Sequence, residues 1–249
     1  MKVRVRFSKN GPARFLGHLD VMRYFQKALR RSGTPCAYSG GFSPHMIMSF
    51  AEPLGLGVAS EGEYFDVELE YTDPFERDPS SSFPDPPSSA ALMESWNRVM
   101  VEGFRVLSIR RIGAGRRGNA MAILAAASYT VTFTFDDPSR LAMLCGEFMA
   151  MSEVNVLKET KSGTKNVNIR PLVYDLHTLE SEDGRGCLSM LLAAGSEANL
   201  KPLPVVRALL KDEAETYADT DLQICRTDMF ARDDRGGLIS LGDTGEEIP

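Results

Sequence analysis

The sequence predicts an α+β fold built from two tandem ferredoxin-like (βαββαβ) units. Three observations point to it. Apolar residues alternate with period two in short runs such as VRVRF (3–7) and YTVTF (129–133), as half-buried strands require. Other stretches, 17–33 and 138–148, carry apolar residues at helical spacing. The order strand, helix, strand, strand, helix, strand then recurs in the second half, with one extra strand and little identity of residues.

In residues 2–8, Val3, Val5 and Phe7 fall on one face and Lys2, Arg4 and Arg6 on the other, so the first strand is expected to turn a basic face outward. Gly11-Pro12 ends it. A helix is predicted from Gly17–His18 to Gly33. Leu19, Met22, Phe25 and Leu29 form its apolar face, and Arg23, Lys27, Arg30 and Arg31 a cationic stripe that suits the helix C-terminus. In TPCAYSGGFSPH, Gly40-Gly41 lets backbone approach a ligand closely and Pro44 fixes a turn. Tyr38 and Phe42 are either stacking platforms for bases or core residues. Strands follow at 46–58 and 62–71. The proline-rich stretch 72–88 is read as a long flexible insertion. A helix over 89–102, with Leu92, Trp96, Val99 and Met100 on one face, and the strand FRVLSIRRI complete a first domain spanning 1–114; GAGRRGNA is a linker.

The second domain is placed at 125–231. It opens with the strand SYTVTFTFD. Asp137-Pro138 then starts a helix, with proline as its first residue and Leu141, Leu144, Cys145 and Phe148 inside. Strands are expected near 153–160, 166–176 and 187–194, a helix over 203–217 and a last strand over 222–230. Residues 232–249 are read as a loose tail.

Charge is unevenly spread. Residues 1–45 hold nine lysines and arginines against one acid, Asp20. This balance of +8 leaves the remainder at −14 within a chain of net charge −6. A basic region on an acidic protein points to a local anionic partner. The four cysteines, at 36, 145, 187 and 225, stand too far apart for a zinc knuckle or a CxxC pair and read as buried thiols of a reducing compartment. The N-terminus is no secretory signal, and no apolar run approaches the roughly 20 residues that span a bilayer. A cytoplasmic protein with no membrane partner is expected. Phosphate-loop, dinucleotide, nucleophile-elbow and HExxH motifs are missing, so no cofactor, metal or catalytic residue is assigned.

The residues able to hold a nucleic acid are Arg4, Arg6, Arg14, His18, Arg23, Lys27, Arg30, Gly40, Gly41, Phe42 and His45 in the first half. In the second half they are Lys158, Lys161, Lys165 and Arg170 around the glycine turn of VLKETKSGTKNVNIRP. Asn199 and Lys201 either touch a phosphate or cap a helix. His18 and Asp20, at i and i+2 of a helix, point apart, which argues against a general-base pair. His18 and His45 could serve as a metal-independent acid–base pair if they met in space. His177 reads as a satisfied strand-end residue.

RVRFSKNGPARFLGHLDVMRYFQKALRRSG, AYSGGFSPHMIMSFAEPLGLGVASEGEYFDVEL, KNVNIRPLV and GSEANLKP, within a span from about Lys2 to Phe230, resemble a bacterial family of unknown function, the radical-SAM-linked proteins. FLGHLD and YSGGFSPH are the most specific segments. Arg14, His18, Asp20, Arg23, Ser39, Gly41, Phe42, His45, Lys158, Arg170 and Asn199 match the family's motifs; Asn168 stands where an acid is expected. The resemblance implies an accessory role beside a radical S-adenosylmethionine enzyme with a cobalamin-binding domain, in a genetic setting of ribonuclease G and ribosomal proteins. It carries over no catalytic residue. At the level of fold alone the architecture is similar to tandem ferredoxin-like CRISPR RNA endonucleases and tRNA pseudouridine synthases, without the synthases' aspartate motif.

The expected function is an accessory anion- or RNA-binding protein for that radical enzyme, in tRNA or rRNA modification or processing. The alternatives are an RNA-processing enzyme using His18 and His45, and a subunit that only docks the radical enzyme. The first reading expects cations of both halves to gather over one concave surface.

Overall fold

The computed structural model describes every residue except 77–79, 114–117, 136, 161–162, 181–184, 212–217 and 219–220. The fold is mixed α+β with mostly antiparallel sheet. It divides into two compact units, Met1–Leu124 with Asp228–Pro249, and Ala125–Thr227. In chain order the elements are β1 (Lys2–Lys9), α1 (His18–Arg31), β2 (Met48–Phe50), β3 (Ala59–Glu68), α2 (Ser89–Asn97), β4 (Phe104–Arg111), α3 (Ala120–Ile123) and β5 (Leu124–Phe133). Then come α4 (Pro138–Ala150), β6 (Asn155–Thr160), β7 (Gly163–Asn168), β8 (Val173–Thr178), β9 (Gly186–Ala193), α5 (Pro202–Leu210), β10 (Gln223–Arg232) and β11 (Leu238–Ser240). No described helix is long and apolar enough to cross a membrane.

In the first unit the strands run β4-β1-β3, with β2 on β3, and every pair is antiparallel. The period-two pattern sends Val3, Val5 and Phe7 of β1 into a core that Phe25 and Leu29 of α1 and Trp96 of α2 share. Rings interlock there: Phe7 lies 4.6 Å from Phe25, and Phe50 lies 5.2 Å from Phe65. The Trp96 indole N–H donates to Thr34 Oγ1 at 2.7 Å, so its one polar atom is satisfied.

Four sequence expectations fail here for identifiable reasons. The strand expected over 46–58 shrinks to three residues, because Pro53, Gly55 and Gly57 interrupt it. The helix expected to reach 102 stops at Asn97, whose side chain leaves the helix to bond both backbone groups of Val106 at 2.9 Å. The tail read as loose is packed. Leu238–Ser240 pair with Phe230–Arg232, Glu246 exchanges backbone hydrogen bonds with Arg111, and Ile248 is buried in the aromatic core. The proline-rich insertion is anchored as well, since Asp73 and Glu76 hold the buried Arg111 guanidinium at 2.9 and 2.7 Å.

In the second unit the Gln223–Thr227 part of β10 is followed by β5, β9 and β8 in that order, with β9 antiparallel to both β5 and β8. α4 lies against β8 and α5. Pro138 is the first residue of α4, and Asp137 caps it by accepting the Arg140 N–H at 3.0 Å. The single strand expected over 166–176 is two strands. Pro171, in a 3-10 turn at Arg170–Leu172, cannot donate to a ladder and separates β7 from β8. β6 and β7 form a hairpin of their own, with Lys158 opposite Lys165. The helix expected over 203–217 is seen as α5; residues 212–217 lie outside the described residues.

The cysteines sort by environment. Cys36 and Cys145 are buried, and burial pushes each thiol up to about 11; Cys187 and Cys225 are half-buried. Iodoacetamide at pH 8 will therefore modify the native chain at Cys187 and Cys225 first, because the thiolate is the nucleophile. Peptide mass spectrometry reads the order, and equal rates at all four positions would contradict this packing.

Candidate nucleic-acid interface

α1 begins after Gly17, where the chain leaves a short 3-10 turn, and ends where Gly33 takes a positive φ of 75°. Val21, Phe25, Ala28 and Leu29 are its buried positions; Leu19, assigned to that face from the sequence, is exposed. Arg23, Lys27, Arg30 and Arg31 all stand exposed. Asp20 is the only acid of the helix and lies 3.9 Å from Arg23, with both side chains more than half exposed, so the pair neutralises little. Arg30 curls back to the Gln26 carbonyl and Arg31 reaches the Val99 carbonyl; among the described residues neither has a carboxylate within ion-pair distance.

Six residues beyond the end of α1, at Ala37, the chain turns into a closed loop. Ala37 and Ile47 are joined by a backbone hydrogen bond, Tyr38 bridges Met46, and Ser39 N–H donates to the His45 carbonyl at 2.9 Å. The His45 N–H in turn donates to Ser39 Oγ at 3.1 Å, and His45 Nδ1 lies 2.8 Å from the same oxygen. Ser39 and His45 thus staple the ends of SGGFSPH. Gly41 has φ of 97°, a conformation costly for any residue with a Cβ. The turn leaves the Phe42 ring wholly exposed and Tyr38 half exposed. Near Cys36, at the root of this loop, the charges are mixed: Glu70 pushes the thiol up and Arg30 pulls it down, both less than burial does.

Other sequence candidates have different surroundings. Arg4 does not face solvent. It is 2% exposed, lies opposite Asp66 in the β1–β3 register and grips it with two hydrogen bonds of 2.8 and 3.0 Å. Arg6 donates to the Glu61 carbonyl at 3.0 Å and is half-buried. The expected basic outer face of the first strand is therefore covered, because β3 supplies carboxylates and carbonyls beside it. The Arg14 guanidinium lies 4.7 Å over the Phe15 ring. His18 meets the edge of Phe50 at 5.3 Å while His45 holds Ser39, so the two histidines have different partners. His177 pairs with Asp175 at 2.8 Å.

In the second unit, Arg170 gives its two terminal nitrogens to the Val173 and Met149 carbonyls at 2.9 and 2.7 Å. It ties the C-terminus of α4 to the turn before β8, where a cation suits the helix dipole. Asn168, where an acid was expected, accepts the N–H groups of Val154 and Arg170 and shapes the same turn. Lys165 is exposed on the hairpin; Lys158 belongs to the facing strand, and Lys161 lies outside the described residues. Among the described residues no cluster of histidine, cysteine or carboxylate side chains could hold a metal. Sequence reasoning missed the Arg4–Asp66 and Arg111 pairings, and only the register of strands distant in sequence could have revealed them.

A family model described as "Uncharacterized protein conserved in bacteria (DUF2344)" matches residues 2–202. No curated protein matches the chain. Among solved structures, one chain of "Crystal Structure of a Cbf5-Nop10-Gar1 Complex" aligns with a TM-score of 0.46 and 10% identity. The alignment covers 91% of this chain and 48% of that one, so this chain spans about half of its length.

Proposed function

This chain belongs to that uncharacterised bacterial family, and we propose that its first unit is an RNA-holding surface made of the outer face of α1 and the SGGFSPH loop. The observation that carries the reading is that two kinds of exposed group follow one another along one short stretch of chain. Exposed cations stand on α1 with Asp20 as the helix's only acid, and the stapled glycine turn that follows the helix in the chain thrusts a bare aromatic ring into solvent. Phosphates meet the cations, while an unstacked base meets the Phe42 ring. A hydrophobic side chain gains nothing for folding from full exposure, so Phe42 is supported as a contact group and not as part of the core.

The chain itself would do no chemistry in this role. It would present RNA to a partner, which the resemblance implies is a radical S-adenosylmethionine enzyme with a cobalamin-binding domain, for modification or processing of tRNA or rRNA. Arg4 and Arg170 take no part, since both are spent on internal partners. We also read both units as ferredoxin-like. The order β4-β1-β3-β2 in the first supports this, as does the order of the Gln223–Thr227 part of β10, β5, β9 and β8 in the second with the β6–β7 hairpin as an insertion.

Phe42→Ala tests the loop. Affinity for single-stranded RNA should fall by about 1–3 kcal/mol, the worth of one base on an aromatic platform. The denaturation midpoint should stay put, since a fully exposed ring away from any packing contributes within about 0.5 kcal/mol to stability. Unchanged RNA affinity, measured by fluorescence anisotropy, would remove Phe42 from the surface.

A further inference from the structure

A second surface lies at the opposite end of α1. Phe15, Leu19 and Leu56 are 61%, 58% and 69% exposed, and Leu16 beside them is 38% exposed. They come from two segments that the fold holds together. The Gly57 N–H donates to the Arg14 carbonyl at 3.0 Å, and a Cβ added at Gly57 would lie 3.9 Å from the Phe15 ring. The base is rigid: Leu16 is pinned by its N–H to Ala13 and by its carbonyl, which accepts the buried Lys9 ammonium at 2.8 Å. An apolar cluster on fixed backbone marks a contact surface, since nothing in the fold gains from its exposure.

Its border carries two arginines and one exposed acid, Asp20, which lies 3.9 Å from Arg23. The Arg14 guanidinium lies over the Phe15 ring, and Arg23 stands one turn after Leu19 on the same helix line, two-thirds exposed. We infer that Phe15, Leu16, Leu19 and Leu56 dock a segment of another protein whose apolar side chains are flanked by carboxylates that meet Arg14 and Arg23. The apolar side chains supply the burial. The charges fix direction and exclude apolar segments bordered by lysine or arginine. Arg23 is shared with the proposed RNA surface, whereas Phe15, Leu16, Leu19 and Leu56 are not, so changes at Leu19 and Leu56 separate this inference from the RNA reading.

The test places a photo-crosslinking amino acid at position 19, and separately at position 56, of the full chain in its own bacterium. Crosslinked peptides are identified, and the segment found is synthesised as the probe. The expected result is convergence of both positions on one apolar segment with flanking acids, which binds the purified chain. Binding should fall at least tenfold with the uncharged change Leu19→Ser/Leu56→Ser, while RNA affinity and melting temperature stay unchanged. Arg23→Glu should also weaken the peptide, and changing the facing carboxylate of the peptide to lysine should restore it. Crosslinks to RNA, to lipid or to a second copy of this chain would overturn the inference. So would crosslinks scattered over proteins sharing no such segment, or a peptide indifferent to the charge exchange.

Discussion

The double change Arg23→Glu/Lys27→Glu should lower RNA affinity roughly tenfold or more at physiological salt and flatten the salt dependence of what binding remains. The reasoning is electrostatic. Each lysine or arginine that neutralises a phosphate releases a condensed counterion, so log K falls with log salt by about 0.7 per contact on a single strand. Removing two contacts should reduce the slope by about 1.4. Both side chains are exposed and neither belongs to the core, so the fold should survive. Anisotropy titrations from low to high salt give slope and affinity together. An affinity that is flat with salt in the parent chain, or untouched by the double change, would contradict an ionic surface on α1.

The second large effect concerns stability. Asp66→Ala should destabilise the chain by about 3–5 kcal/mol, because it strands a guanidinium that is 2% exposed. Asp66 does more than pair with Arg4. Its Oδ2 also accepts the Ala120 N–H at 2.8 Å, and Lys2 lies 3.6 Å away. Arg4 in turn donates to the Thr244 hydroxyl, which links β1 to the C-terminal segment. Replacing both partners with apolar residues, Arg4→Met/Asp66→Leu, should cost less than Asp66→Ala alone, since no charge is left buried. Urea denaturation compares the variants through their midpoints. A loss under 1 kcal/mol for Asp66→Ala would mean that Arg4 is solvated, as the strand's alternation alone suggested.

That failure shows what one sequence can carry. Alternation in VRVRF located β1 and its core face correctly, because pleat and period are local properties. It could not reveal that Asp66, sixty-two residues on, would lie opposite Arg4 and turn a supposed outer face into a buried ion pair. α1 was legible from end to end, since Gly17 and Gly33 bracket it, although Leu19 was drawn to the wrong face by its chemistry. The glycine turn was visible in SGGFSPH, but whether Phe42 pointed inward depended on the Ser39–His45 staple. The C-terminal segment misled for the same reason as Arg4. ISLGDTGEEIP has no periodicity, yet Thr244, Glu246 and Ile248 find partners in β1, β4 and the aromatic core. The family match ends at residue 202, while the first unit is completed by residues 228–249.

The central claim is that RNA lies on α1 and the loop after it. Ultraviolet crosslinking of the purified chain to total RNA from its own bacterium, followed by peptide mass spectrometry, asks this directly. Nucleotide adducts should concentrate between residues 23 and 45, with Phe42 among them. Adducts confined to other parts of the chain, or none above those of a non-binding control protein, would contradict the claim.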